Sequence, residues 1–285
     1  MDVALGRISV VICTKDRAAG LERTLKHWAK LFGDPGLDMI VVDDGSKDQT
    51  PLVVARAGSG FRGRFQAART VGVGLGAARN AGWRMAAGDI VLFTDDDCYP
   101  ADDLPTAIRS CFADSDISFI GGQLLPATPA HAGVAAVTRS FRVEIGGPSF
   151  VPAGLIPGAN MAIRRAALEQ VGGFDPEFGA GTPFPAEDVE VIARLAAAGL
   201  RGAYDPRPQV VHDHDRLTEP AQRRLRYQYS RGRGAYYAKC LLNPALRRSY
   251  LTAWARSATR SIPHTVAELG GAIRYWLRRP SPGRS

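Results

Sequence analysis

Four short apolar runs alternate along the chain with segments whose apolar positions recur every three or four residues. Ile8 to Cys13, Met39 to Val42, Ile90 to Thr94 and Ile117 to Ile120 are rich in β-branched and aromatic side chains. Runs of that length and composition read as strands buried on both faces. Between them, Leu21, Leu25, Trp28 and Phe32 mark a helix by their spacing, and another begins near Pro51. Phe61 to Phe65 is a short segment without a clear period. Gly76 to Ala87 and Leu104 to Phe112 have helical composition. The alternation predicts an α/β fold with a doubly wound, mostly parallel sheet flanked by helices.

Beyond Gly121 the pattern changes. Gln123 to Asn160 is rich in Pro, Gly and Ala without a period, and is expected to cover the sheet as loops and edge strands. Helices over Arg164 to Val171 and Asp188 to Ala198 are separated by the Gly/Pro-rich stretch Gly172 to Pro185. Gln209 to Val211 predicts one more strand, delivering His212-Asp213-His214-Asp215. From Glu219 the chain reads as helical to near its end. The expected division is an α/β unit over 1–215, with halves at 1–121 and 122–215, and a helical extension over 216–285.

Charge sharpens that division. Residues 216–285 carry 15 Lys and Arg against Glu219 and Glu268, whereas 1–215 carry 21 Lys and Arg against 26 Asp and Glu. An acidic body suits cations, and the basic extension needs its own explanation. Cys13, Cys98, Cys111 and Cys240 are scattered without metal spacing, which predicts reduced thiols and a cytoplasmic setting. No basic leader with a long apolar core opens the sequence, and no run reaches about 18 apolar residues, so neither a signal peptide nor a spanning helix is expected.

Two of the predicted strands end in acids. Asp95-Asp96-Asp97 follows Ile90 to Thr94, and Asp43-Asp44 follows Met39 to Val42. Ligands of open α/β sheets bind beyond the carboxyl ends of the strands. Adjacent carboxylates repel one another unless a cation neutralises them, and a hard divalent ion resolves that conflict. A solvated turn or a helix cap is the plainer explanation for each cluster alone. Gly72 to Gly76 lacks the spacing of a dinucleotide fingerprint and reads as a turn before a helix, with Arg79 and Asn80 just inside it. Glu187-Asp188 opens a predicted helix, where acids favour the dipole and a carboxylate can also serve as a general base. His212 and His214 alternate on a strand and would add a metal ligand. Zinc is disfavoured because no cysteine lies near these histidines in sequence and carboxylates dominate.

The chain resembles glycosyltransferase family 2, through Ile8 to Arg17, Val41 to Ser46, Gly76 to Gly82, Phe93 to Cys98, Gly158 to Ala162, Gly172 to Asp175 and Glu187-Asp188, all in family order. The resemblance implies a GT-A fold and an inverting transfer from a nucleotide-diphosphate sugar, most simply a UDP-sugar, to a hydroxyl of a glycan, a lipid-linked saccharide or a secondary metabolite. It implies donor contacts at Cys13, Thr14, Arg17, Asp43, Asp44, Arg79, Asn80, Asp95 and Asp96. Asp95 and Asp97 look like the ends of a D-x-D motif holding Mn²⁺ or Mg²⁺, with His212 near them and Asp96 an alternative member. Asp188 resembles the catalytic base, and Gly158, Ala159, Asn160 and Glu187 fall where the substrate would lie.

A nucleotidyltransferase would also use a metal on a nucleotide-binding sheet, but Thr14-Lys15-Asp16-Arg17 is a poor phosphate-gripping loop. A non-catalytic nucleotide-sugar-binding protein is the other alternative, and the intact Asp44, Asp97 and Asp188 argue against it. In the extension, Val266, Leu269, Ile273 and Leu277 recur at helical spacing beside Trp276, Arg274, Arg278 and Arg279. That stripe either meets an anionic membrane surface at the inner face or packs on the α/β unit or a second subunit. Nucleic acid is disfavoured because the acidic body would repel a polyanion.

Overall fold

Alternate residues of the first apolar run belong to different cores, as a strand covered on both faces requires. The computed structural model describes residues 6–61, 63–129, 136–214, 218–258 and 262–278. In β1 (Ile8–Thr14), Ile8, Val10 and Ile12 enter one core and Val11 the other. β2 (Leu37–Asp43) alternates likewise, with Met39 and Val41 against Ile40 and Val42. Beyond the edge strand β3 (Arg64–Arg69), β4 (Ile90–Asp95) repeats the pattern with Leu92 against Val91 and Phe93. These four strands pair in parallel in the order β3-β2-β1-β4. Their register sets Thr14 beside Asp43 and Cys13 beside Asp95, so the acid-bearing ends open on one edge. The unassigned Phe61 to Phe65 segment runs into β3, whose largely exposed face gives little apolar signal.

Helices α1 (Ala18–Trp28) and α2 (Thr50–Gly60) cover one face, and α3 (Leu75–Met85) the other. α4 (Leu104–Cys111) joins the first pair, while α5 (Arg165–Val171) and α6 (Glu187–Ala197) join α3.

The second half of the sheet is less regular. The short β5 (Cys98–Pro100), β6 (Ile117–Pro126), β7 (Val143–Ile145), β8 (Asn160–Arg164) and β9 (Arg201–His212) complete it. The expectation of loops and edge strands up to Asn160 stops short of β8, which is interior and antiparallel to both β4 and β6. Its apolar centre is only Met161 to Ile163, too short to show a period. The predicted strand Gln209 to Val211 is the end of the longer β9, parallel to β6. Pro206 and Pro208 argue against a strand interior. The sheet admits them because the register jumps from Gly121–Tyr204 to Gln123–Gln209, leaving Asp205 to Pro208 opposite Gly122.

The extension is helical as expected: α7 (Glu219–Leu242), α8 (Pro244–Ala258) and α9 (Ile262–Arg278). The boundary read at 215/216, together with Asp215 and Arg279, lies outside the described residues. A third core joins Phe178, Phe184 and Val189 to Tyr236, Tyr237, Tyr250 and Tyr275. Close approach is allowed by missing side chains: a Cβ on Gly232 would fall 1.9 Å from the Pro185 carbonyl oxygen, and one on Gly271 2.0 Å from that of Arg231. α9 thus packs through Ala267, Gly271, Ala272 and Tyr275. The apolar stripe faces outward, Val266 being 62% and Leu277 81% exposed. Packing of that stripe on the α/β unit is therefore overturned; the small residues provide the tighter fit. Among the described residues, no helix is long and apolar enough to cross a membrane.

Candidate active site

The strand ends open into a cleft of ≈ 930 Å³ lined from β1, β4, the first turns of α3, the loop before α6, and the extension. At its floor, Asp96 turns toward β1. The Thr14 hydroxyl donates to Asp96 Oδ2 at 2.5 Å, the Thr24 hydroxyl donates to its carbonyl at 2.7 Å, and Arg17 Nε lies 3.4 Å from Oδ1. Burial nevertheless pushes the Asp96 carboxyl up to about 6. Asp95 and Asp97 point to the other side. His212 Nε2 is 3.2 Å from Asp97 Oδ1, Arg17 Nη2 donates to Asp97 Oδ2 at 2.7 Å, and Arg79 Nη2 is 3.4 Å from Asp95 Oδ1. Burial raises the Asp95 carboxyl, with Arg79 opposing and Asp97 reinforcing the shift.

Asp95, Asp97, Cys98 and His212 each bring a donor atom within 4.8 Å of the others. Two carboxylates and an imidazole suit Mg²⁺ or Mn²⁺. The crowding of like charges supplies the electrostatic need for such an ion. The premise that no cysteine lies near the histidines holds only along the sequence: β5 pairs Cys98 directly with His212. Burial pushes its thiol well above the ordinary range, and the thiol donates to Asp97 Oδ1 at 3.9 Å. The tight turn from Asp97 into β5 aims Asp97 and Cys98 at one point, a placement that sequence spacing alone did not signal.

Asp44 lines the cleft, yet its carboxylate is occupied by the glycine turn. Oδ1 accepts from the Thr70 hydroxyl at 2.5 Å and from the Val73 N–H at 2.8 Å, and Oδ2 accepts from the Gly74 N–H at 3.0 Å. Burial raises this carboxyl, and those bonds more than offset it, leaving it below the usual range. Gly74, at φ +89°, supplies the left-handed residue that starts α3. Asp43 is outside the cleft, accepting from the Ser46 N–H at 2.8 Å and pairing with Arg69 at 2.9 Å. Cys13 lines the cleft as a neutral thiol, pushed up to about 12 by burial.

Arg79 joins the two ends of the site. Its buried guanidinium donates to Glu187 Oε1 at 2.9 Å and to the Gly158 carbonyl at 3.0 Å, beside Asp95. Burial pushes Glu187 up to about 7 despite that pairing. Asp188, the next residue, is partly exposed in the cleft; the Gly158 N–H donates to its Oδ2 at 3.2 Å and the Val189 N–H to its Oδ1 at 2.8 Å. Gly158 and Ala159 are part of the same wall. Asn80 and Asn160 do not reach it. Asn80 is spent on Phe174 and Trp83, and the Asn160 amide donates to the Gln123 and Pro208 carbonyls at 2.8 and 3.1 Å. Leu225, Gln228, Tyr229, Arg231 and Arg274 of the extension also line the cleft. Sequence reasoning kept the extension apart from the site; its run of arginines was the available signal.

The sequence profile described as glycosyl transferase family 2 matches residues 9–172. A pre-mycofactocin glycosyltransferase of Mycobacterium tuberculosis is 28% identical over 216 residues, spanning 73% of this chain and 43% of its own length. The glycosyltransferase AglE of Haloferax volcanii is 24% identical over 256 residues, or 89% of this chain and 81% of AglE. The chain thus spans less than half the length of the Mycobacterium relative. In structure, a mannosyltransferase of Pyrobaculum calidifontis, solved with GDP-Man and Mn²⁺, superposes with a TM-score of 0.67 at 20% identity, covering 97% of this chain and 77% of the other. TarS of S. aureus with UDP-GlcNAc gives 0.62 at 16% identity, covering 94% and 81%. These likenesses share the GT-A fold.

Proposed function

The chain belongs to glycosyltransferase family 2, and from that we propose that it catalyses inverting transfer of a sugar from a nucleotide-diphosphate donor to an acceptor hydroxyl. The observation that carries this reading is Asp188, held by the Gly158 N–H in the cleft that also contains Asp95, Asp97 and His212. Asp188 takes the proton of the acceptor hydroxyl as its oxygen bonds to the anomeric carbon. The bond from that carbon to the donor diphosphate breaks on the opposite side, and the diphosphate leaves with the electron pair. Arg79 and Glu187 are positioning residues, setting the start of α6 against Gly158. Asp95, Asp97 and His212 would hold Mn²⁺ or Mg²⁺, and such an ion supplies positive charge to the departing diphosphate. The ligands of the two structural neighbours, GDP-Man in the mannosyltransferase and UDP-GlcNAc in TarS, support a nucleotide-sugar donor, with a UDP-sugar the simplest choice.

Asp188→Asn tests the assignment: transfer should fall at least a hundredfold while nucleotide affinity stays within threefold, and a collapse of nucleotide affinity would remove Asp188 from the role of base. Metal binding is read without catalysis. Mn²⁺ should raise the melting temperature, and more so with UDP or GDP, because a ligand bound only by the native state stabilises it. Asp97→Asn should erase the rise, and a rise unchanged in that variant rules out this ligand set.

The exposed stripe of α9, flanked by basic residues, supports peripheral contact of the protein with an anionic membrane face. Flotation of the full chain with phosphatidylglycerol vesicles, but not with phosphatidylcholine vesicles, is the expected result. Failure to float with either places the stripe against a protein surface, a second copy being the first to examine by light scattering.

A further inference from the structure

The extension closes the cleft beside the proposed base. Gly232 rests on the Pro185 backbone, three residues before Asp188, and Gly271 rests on the backbone of Arg231. Arg274 follows Gly271 by one helical turn, on the same face of α9. Arg231 and Arg274 therefore stand on adjoining helices, both in the cleft wall, on the side of Asp188.

The other cleft arginines are committed. Arg17 binds Asp97, Arg79 binds Glu187, and Arg233 donates to Glu268 at 2.6 Å. Arg231 and Arg274 have neither an ion pair nor a side-chain hydrogen bond among the described residues. Two unpaired guanidinium groups at the mouth of an otherwise acid-rich cleft form a receptor for phosphate oxygens. Directly outside, Ile273 and Leu277 flank Arg274 and are 54% and 81% exposed, with Leu269 continuing the row. A charged pair and an exposed apolar row meet at one residue.

Resting on the glycosyl-transfer reading, we infer that the acceptor is an amphiphile: a hydroxyl-bearing group joined through a phosphate or diphosphate to a hydrocarbon chain. The hydroxyl reaches Asp188, the phosphate binds Arg231 and Arg274, and the hydrocarbon follows Ile273 and Leu277. A neutral glycan would leave both guanidinium groups and the apolar row without partners.

The probe is farnesyl diphosphate, titrated onto the full chain with Mn²⁺ and saturating UDP or GDP, whichever raises the melting temperature. Nucleotide saturation keeps the probe's diphosphate out of the donor position. Farnesyl diphosphate should bind, with farnesol and inorganic diphosphate each at least tenfold weaker. Arg231→Gln/Arg274→Gln should weaken farnesyl diphosphate at least tenfold and leave nucleotide affinity and melting temperature unchanged. Ile273→Ser/Leu277→Ser should weaken farnesyl diphosphate without changing the response to inorganic diphosphate. No binding, binding indifferent to the arginine pair, or farnesol or inorganic diphosphate binding as tightly as farnesyl diphosphate overturns the inference. A chain that neither UDP nor GDP stabilises counts against the glycosyl-transfer reading instead, and the same probe comparison on the chain alone still decides the role of the arginines.

Discussion

Arg79 concentrates more of the site's electrostatics than any other single residue. Its guanidinium is buried against Glu187, Asp95 and the Gly158 carbonyl, so its removal strands acids in a region of poor solvation. Arg79→Met is expected to cost about 3–5 kcal/mol, the usual loss when one member of a buried pair is removed. Urea unfolding measures it, and a loss below about 1 kcal/mol would mean that water already solvates those acids. Asp205 offers a pH-dependent case. Burial raises its carboxyl, and Arg207 and Arg142, both within 2.9 Å, more than offset this and hold it well below the usual range. A lowered carboxyl stabilises the fold above its unfolded value, about 3.9, and that contribution is lost as pH falls through the folded value. Asp205→Asn should therefore cost about 1–2 kcal/mol at pH 7, both arginines being partly exposed, and the gap from the parent should narrow below about pH 4. A gap equally wide at pH 3 would point to packing instead. At this scale the acids were legible because they end apolar strands. Their division of labour was not: Asp95, Asp96 and Asp97 are chemically alike, and it is the Thr14 hydroxyl, 82 residues away, that turns the Asp96 carboxylate aside.

Elements were legible wherever burial on two faces left a continuous apolar run, as in β1, β2 and β4. β8 escaped because five residues carry no period, and most of β9 because two prolines mask it. Both losses fall in the second half of the sheet, where parallel and antiparallel pairings mix and depend on partners far along the chain. α7 was legible as a helix and illegible as a wall, since a glycine on a helix surface says nothing about what approaches it. Gly232→Ala should destabilise the chain by about 1–3 kcal/mol, the usual cost of overpacking, because the methyl meets the Pro185 carbonyl. Transfer should fall more than nucleotide binding does, since Pro185 leads into Asp188 while the donor side is untouched. Equal losses of both would mean that the whole fold had loosened.

On the scale of the molecule, the acidic body and basic extension meet in the third core and through Lys239, which bridges Asp175 and Glu190 at 2.5 Å each. Association of the extension with anionic vesicles should weaken between 50 mM and 500 mM salt, as screening shortens the Debye length from above to below about 10 Å. Flotation unaffected by salt would assign the contact to the apolar row alone. The seating of Gly232 on Pro185 and Gly271 on α7 leaves no slack between the outer face of α9 and Asp188. If that face rests on a surface, the proposed base stands at a set height above it. The enzyme would then act as a ruler, choosing among chemically similar hydroxyls by how far each projects from the plane in which its carrier is anchored.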